Sequence, residues 1–229
     1  MSEDIYNFSE DCLTLNVVTP TLTSSKPLPV FVFIHGGAYY SGGSNFWNIE
    51  NSLLASEQQI VVVNVNYRLG PLGFGAVESE FLGETTVGNF GLMDQYAALQ
   101  WVQKNIGSFN GDPDKVTVSG ESAGAESTMQ QLLWKKSREN NKIKGAVLLS
   151  ETWGLPFHTK IDAENQFLKL AEQFNCTEKL VESNQVDMDC MRELDAQELT
   201  VIKFPIHVDT PINEGTSGYK VVKLKGQTV

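Results

Sequence analysis

A brief apolar strand, residues 116–118, runs into Gly120-Glu121-Ser122-Ala123-Gly124, and a helical segment through Met129, Leu132 and Leu133 follows directly. Few features restrict a fold as closely. A chain that turns so tightly from strand to helix needs residues without bulk on both sides of the serine, which Gly120 and Gly124 supply. The turn lifts the Ser122 hydroxyl out of the sheet and sets it at a helix N-terminus, where developing negative charge is favoured. The order of strand, G-x-S-x-G and helix predicts a nucleophile elbow with Ser122 at its tip.

The rest of the chain supplies the sheet that such an elbow requires. Residues 13–18 read as a half-buried strand ended by Pro20. Residues 30–34 and 60–65 are short runs rich in Val and Ile, the pattern of strands covered on both faces, and residues 145–149 read as a further buried strand. Between them Leu92, Tyr96, Leu99, Val102 and Ile106 recur on one helical face. Ala163, Phe167, Leu170, Ala171 and Phe174 mark another helix, for which Asp162 is a fitting N-cap, and Asp195 with Glu198 suits a short helix near the end. Residues 203–229 are polar and ambiguous. Strands alternating with helices predict an α/β chain with a mostly parallel sheet and helices on both faces. No repeat or Pro/Gly/Ser linker divides the 229 residues, so one domain over residues 1–229 is expected.

Charge and composition exclude some functions. With 17 Lys+Arg against 28 Asp+Glu, the net charge is −11, and no basic cluster offers a face to nucleic acid. The longest apolar runs are too short to span a bilayer. The first twenty residues lack the charged start and apolar stretch of a secretory signal. Either the protein stays inside the cell, or its natural chain begins elsewhere. Three cysteines are an odd number. Composition alone favours reduced thiols, although Cys176 and Cys190 could close a small loop and leave Cys12 over. The sequons at Asn7 and Asn175 lean weakly towards an oxidising compartment.

A second glycine-rich segment, His35-Gly36-Gly37-Ala38, follows the strand at residues 30–34. Small residues there let backbone N–H groups converge on a substrate oxygen, the arrangement of an oxyanion loop. Further motifs stand in order around these two. Glu10, Asp11, Cys12, Leu13, Leu15, Asn16, Thr19 and Pro20 precede them, and Asn66, Tyr67, Arg68, Leu69, Gly70, Gly73 and Phe74 lie between. Gly88, Asn89, Gly91, Leu92, Asp94, Gln95, Ala98, Leu99, Trp101, Val102, Asn105 and Ile106 follow. Phe109, Asn110, Gly111, Asp112 and Pro113 then lead to Val116, Thr117 and the elbow. Over residues 9–194 the chain resembles the type-B carboxylesterase/cholinesterase family of the α/β-hydrolase superfamily.

The resemblance implies a serine ester hydrolase acting on small carboxylic esters through an acyl-serine intermediate, without metal or cofactor. Ser122 matches the nucleophile, Gly37, Ala38 and Ala123 the oxyanion donors, and Glu121 a carboxylate of the surrounding network. Ser150 resembles a supporting serine, and Phe157 falls at an acyl-pocket aromatic. Tyr39 and Tyr40 either line the pocket or pack the loop. Cys176 and Cys190 resemble an intrachain disulfide pair, which points to secretion or the endoplasmic-reticulum lumen and reverses the preference for thiols.

The departures from the family pattern are also informative. Asn110 and Ala38 stand where glycines are common, and Glu126 stands where a small residue is usual. The cysteine that pairs with Cys12, and the tryptophan of a choline site, lie upstream in a loop this chain lacks. The family's acid and histidine lie beyond the matched region, so the chain is expected to be the N-terminal portion of the domain. His35 reads as a loop anchor, while His158, His207 and Asp209 are weak candidates for triad partners. Two rivals keep the fold: a non-catalytic adhesion-type domain and an inactive truncated product. Because the family's sheet continues through later segments, the strand at residues 145–149 is expected to keep an unpaired edge.

Overall fold

The computed structural model describes residues 9–46, 48–79, 84–150, 157–179 and 184–201. In chain order these form β1 (Leu15–Val18), β2 (Leu28–Ile34), α1 (Asn48–Gln58), β3 (Val61–Val65), α2 (Gly70–Phe74) and the hairpin strands β4 (Val77–Ser79) and β5 (Glu84–Val87). There follow α3 (Phe90–Asn105), β6 (Gly111–Glu121), α4 (Ala123–Leu133), α5 (Lys135–Asn140), β7 (Ile143–Leu149) and α6 (Lys160–Gln173). The described part ends with β8 (Thr177–Lys179), β9 (Asn184–Val186), α7 (Met188–Glu193) and α8 (Ala196–Val201). His207 and Asp209, with the rest of the ambiguous tail, lie outside the described residues.

One five-stranded sheet runs in the order β1-β3-β2-β6-β7. β1 lies antiparallel to β3, and every other pairing is parallel. The crossover from β2 through α1 to β3 moves one way along the sheet, and that from β3 through α3 to β6 moves back. Right-handed connections therefore set α1 on one face and α3 and α4 on the other. This agrees with the expected α/β-hydrolase arrangement. All five residues of β3 are buried, as its unbroken apolar run requires. β2 instead alternates, with Val30, Val32 and Ile34 in the main core beside Leu99, Val102, Ile106 and Val118.

The helix expected through Met129, Leu132 and Leu133 is α4, while two other local expectations, the cap of α6 and the burial of β7, need correction. These three residues are half-buried, and the buried face of α4 holds Ala123, Gly124, Ala125, Ser127, Thr128 and Gln131. Small side chains let this helix approach the sheet closely, so its apolar residues end up on the flank. The N-cap of α6 is Thr159, not Asp162. Thr159 Oγ1 accepts from the Asp162 amide at 3.2 Å and donates to Asp162 Oδ2 at 2.7 Å, a reciprocal cap in which the acid stands at the third helical position. β7 is not buried throughout. It is an edge strand, with Val147 41% and Leu149 46% exposed, and among the described residues only β6 pairs with it.

An open apolar edge of this kind recruits other chains. Purified as 229 residues, the protein should therefore associate, and lysines at Val147 and Leu149 should move its mass towards the monomer. Light scattering checks this, and a monodisperse wild-type monomer would contradict it.

A second, smaller core gathers Leu170, Ala171, Cys176, Met191 and Leu199. The Cys176–Cys190 disulfide crosses it, with Cα atoms 5.4 Å apart and a sequence separation of 14. On the chain-entropy estimate a loop of that size is stabilised by about 3 kcal/mol. Cys12 is a free thiol, partly buried, and burial pushes its pKa up. No helix among the described residues is long and apolar enough to cross a membrane.

Candidate active site

β6 ends at Glu121 and α4 opens at Ala123, leaving Ser122 alone in the turn with φ 53° and ψ −121°. A side chain in this backbone region costs on the order of 1–3 kcal/mol and persists only where its surroundings hold it. Here the Ser122 amide donates to the Leu149 carbonyl at 2.8 Å, and its carbonyl accepts from the Glu126 amide at 3.0 Å. The glycines on either side answer to close approaches. A Cβ on Gly120 would stand 2.1 Å from the Gly124 carbonyl oxygen, and one on Gly124 would stand 2.0 Å from that of Ile34.

β2 and β6 are parallel neighbours with Ile34 opposite Gly120. Their carboxyl ends thus deliver the segment after β2 and the turn after β6 to the same sheet edge, where open α/β sheets place their sites. Contact between the two is direct: a Cβ on Gly36 would lie 3.2 Å from Ser122 Cβ and 2.7 Å from Glu121 Oε2. The loop then passes through three left-handed residues, Gly37 at φ 113°, Ala38 at 54° and Tyr39 at 65°. Ala38 and Asn110 (φ 65°) both adopt a conformation that glycine takes freely. Asparagine tolerates it; alanine is strained by it. The Gly37 carbonyl accepts from the amides of Tyr40 and Ser41 at 3.1 and 3.0 Å. Among the described residues the Gly37 and Ala38 amides make no turn or loop bond of their own. Ala123, first in α4, carries one of the amides that a helix start leaves without an internal partner.

His35 is an anchor. It is buried, its ring stacks on Tyr67 with centroids 4.5 Å apart, and its Nδ1–H donates to the Gly36 carbonyl at 2.7 Å. Burial pushes its pKa down, so the ring stays neutral. The Tyr67 hydroxyl donates to the His35 carbonyl at 2.8 Å and ties the loop to the segment after β3. His158 lies just before α6 with Gln166 Nε2 3.4 Å from its Nδ1.

The two loop tyrosines part company. Tyr40 is 62% exposed, whereas Tyr39 is 2% exposed and packs on Phe74 with centroids 4.8 Å apart. Of the two roles open to Tyr39, packing the loop is the one its position fits. Glu126, unexpected on this helix, comes within 3.5 Å of the Tyr39 hydroxyl. Phe157 is half-buried before α6, and Ser150, in a left-handed conformation (φ 54°), closes β7. Missing from the sequence reading was the pair Arg68–Asp94. Asp94 is buried and takes Arg68 Nε at 2.7 Å, Nη2 at 2.8 Å and the Arg68 amide at 3.1 Å. Both residues were visible as motif members, but nothing in their spacing pairs them. No group of His, Cys, Asp and Glu among the described residues could hold a metal ion.

Comparison with known proteins gives a consistent picture. The profile of the Carboxylesterase family matches residues 1–218. Acetylcholinesterase 4 of Caenorhabditis briggsae is 39% identical over 199 residues, covering 84% of this chain and 30% of that protein. Acetylcholinesterase of Electrophorus electricus is 40% identical over 194 residues, covering 83% and 29%. The para-nitrobenzyl esterase of Bacillus subtilis (strain 168) is 53% identical over 119 residues, covering 52% and 24%. The chain thus spans at most 30% of the length of these three relatives.

Proposed function

The chain belongs to the carboxylesterase family, and from that premise we propose that it carries the nucleophile half of a serine ester hydrolase. The observation that carries this reading is the contact of the glycine loop with the elbow, Gly36 against Ser122 and Glu121. Ser122 Oγ attacks the carbonyl carbon of a small carboxylic ester while a base takes its proton. The carbonyl oxygen, now negative, accepts hydrogen bonds from the amides of Gly37, Ala38 and Ala123. Collapse expels the alcohol, protonated by the same base, and water then releases the acid from acyl-Ser122. Glu121 supports the site's hydrogen bonds, and Tyr40 and Phe157 line the substrate side. No cofactor takes part.

The base is assigned outside the described residues. His35 donates its Nδ1–H within its own loop, and His158 faces Gln166. Residues 1–229 are read as the N-terminal portion of one hydrolase domain. The disulfide and the exposed sequon at Asn175, in a left-handed turn after α6, support an oxidising secretory compartment. Treatment of the natural protein with a glycan-removing amidase should lower its mass and convert Asn175 to Asp. An unchanged Asn175 peptide would remove this part of the reading.

The central test is covalent labelling of the natural full-length protein by an organophosphonate, followed by peptide mapping. An adduct on Ser122 is expected, because only an activated serine displaces the leaving group. No label on Ser122 sinks the proposal and favours a non-catalytic binding domain of the same fold.

A further inference from the structure

We propose that Tyr39 and Glu126 form a latch that holds the glycine loop against the serine elbow, which makes both of them positioning residues. The proposal rests on the reading of Ser122 as the nucleophile. Gly37, Ala38 and Tyr39 are left-handed in succession, and two of the three carry side chains. Strain of this kind survives only where neighbouring structure over-determines the backbone. Part of the restraint is main-chain, since the Tyr39 carbonyl accepts from the Gly70 amide at 2.8 Å. The remainder comes through the Tyr39 side chain. Packing on Phe74 fixes its ring, and a phenol oxygen buried this deeply requires polar partners.

The polar partner sits on α4, the helix that starts directly after Ser122. The phenol donates to Glu126 Oε2 at 3.5 Å, and the next residue of that turn is Ser127. Ser127 Oγ in turn accepts from Gln95 Nε2 of α3 at 3.0 Å, and both of these residues are fully buried. Glu126 also donates its amide to the Ser122 carbonyl at 3.0 Å. One helical turn therefore grips both the elbow and the loop. The Glu126 carboxylate stands in the first turn of α4, where the helix favours negative charge. Burial, followed by the nearby Glu126 carboxylate, pushes the Tyr39 pKa well above its ordinary value, so the phenol remains a donor at every working pH.

The test compares Tyr39→Phe, Glu126→Ala and Glu126→Gln in the natural full-length protein. Amide hydrogen exchange is read at Tyr40 and Ser41, whose amides donate to the Gly37 carbonyl, with β3 as the internal control. Phosphonate labelling of Ser122 is followed in parallel. Loss of the hydroxyl or of the carboxylate should speed exchange in the loop about tenfold, the factor equivalent to one net hydrogen bond, while β3 is unchanged. Labelling should slow by a similar factor with the noncovalent affinity for the probe retained. Glu126→Gln keeps an acceptor and should restore most of the protection lost in Glu126→Ala. The double variant should be little worse than either single one, because both remove the same bond. Loop exchange at the wild-type rate in both Tyr39→Phe and Glu126→Ala overturns the latch, and so does an equal rise in β3. If the wild-type protein takes no label, the reading of Ser122 fails, and the exchange data still decide the latch.

Discussion

Replacing Ser122 by Ala should lower kcat for ester hydrolysis by the natural full-length protein on the order of 10⁶-fold, the loss found when a triad serine is removed elsewhere. The reasoning starts from the turn. Ser122 is the one residue between β6 and α4, and its Cβ stands against Gly36 of the loop, 3.2 Å from where a Cβ on that glycine would lie. Alanine is also an L residue with a Cβ, so the same backbone carries about the same strain and the fold should survive. What disappears is the oxygen that forms the acyl bond. Backbone donors at Gly37, Ala38 and Ala123 would remain, and such donors sustain a residual rate of roughly 10³–10⁴ over water. Hydrolysis of an activated acetate ester measures the loss, with thermal unfolding as a check on the fold. Turnover near the wild-type rate would refute the assignment of Ser122.

The second large effect is expected from a single methyl group. In Gly124→Ala the new Cβ would lie 2.0 Å from the Ile34 carbonyl oxygen and 2.7 Å from that of His35. Both are backbone atoms at the end of β2, and neither can rotate away. Either α4 withdraws from the sheet or β2 bends, and each movement separates the elbow from the loop. Overpacking of this severity costs about 3 kcal/mol or more, which lowers the thermal midpoint of a domain this size by about 6–12 °C. Loss of Ser122 labelling should accompany it. Gly107→Ala is the control, because a Cβ there meets nothing within 4 Å. A Gly124→Ala protein with wild-type melting and labelling would show that the close approach is not what requires glycine.

Most of the local structure was legible from sequence, because the rules that govern it are local. A run of Val and Ile flanked by breakers made the strands 30–34 and 60–65 readable, and the structure places β2 and β3 over them with slightly different ends. Helical spacing from Leu92 to Ile106 likewise marked α3 and the short turn that continues it. The small residues around Ser122 were readable because steric exclusion in a tight turn depends on the turn itself. The disulfide was legible only through resemblance, since spacing alone left reduced thiols open. Cap assignment failed by three residues at α6, where Thr159 and Asp162 can each begin a helix and only the direction of the preceding chain decides between them.

By itself, then, the sequence determined the kinds of element, their order and the sharp turn at Ser122, all consequences of residue period and local sterics. Tertiary structure alone decided what each element meets. The strand order β1-β3-β2-β6-β7 brings Gly36 beside Ser122, and no periodicity in either segment encodes that register. It turned Tyr39 into the core while leaving Tyr40 exposed, and it set Glu126 under the Tyr39 hydroxyl. It closed Arg68 onto Asp94 and left Val147 and Leu149 at an open edge. Periodicity reports how apolar a surface is and how it repeats along the chain. Which surface comes to cover it, or fails to, follows from contacts between residues distant in sequence, whose loop-closure entropy and packing are settled only when the whole sheet assembles.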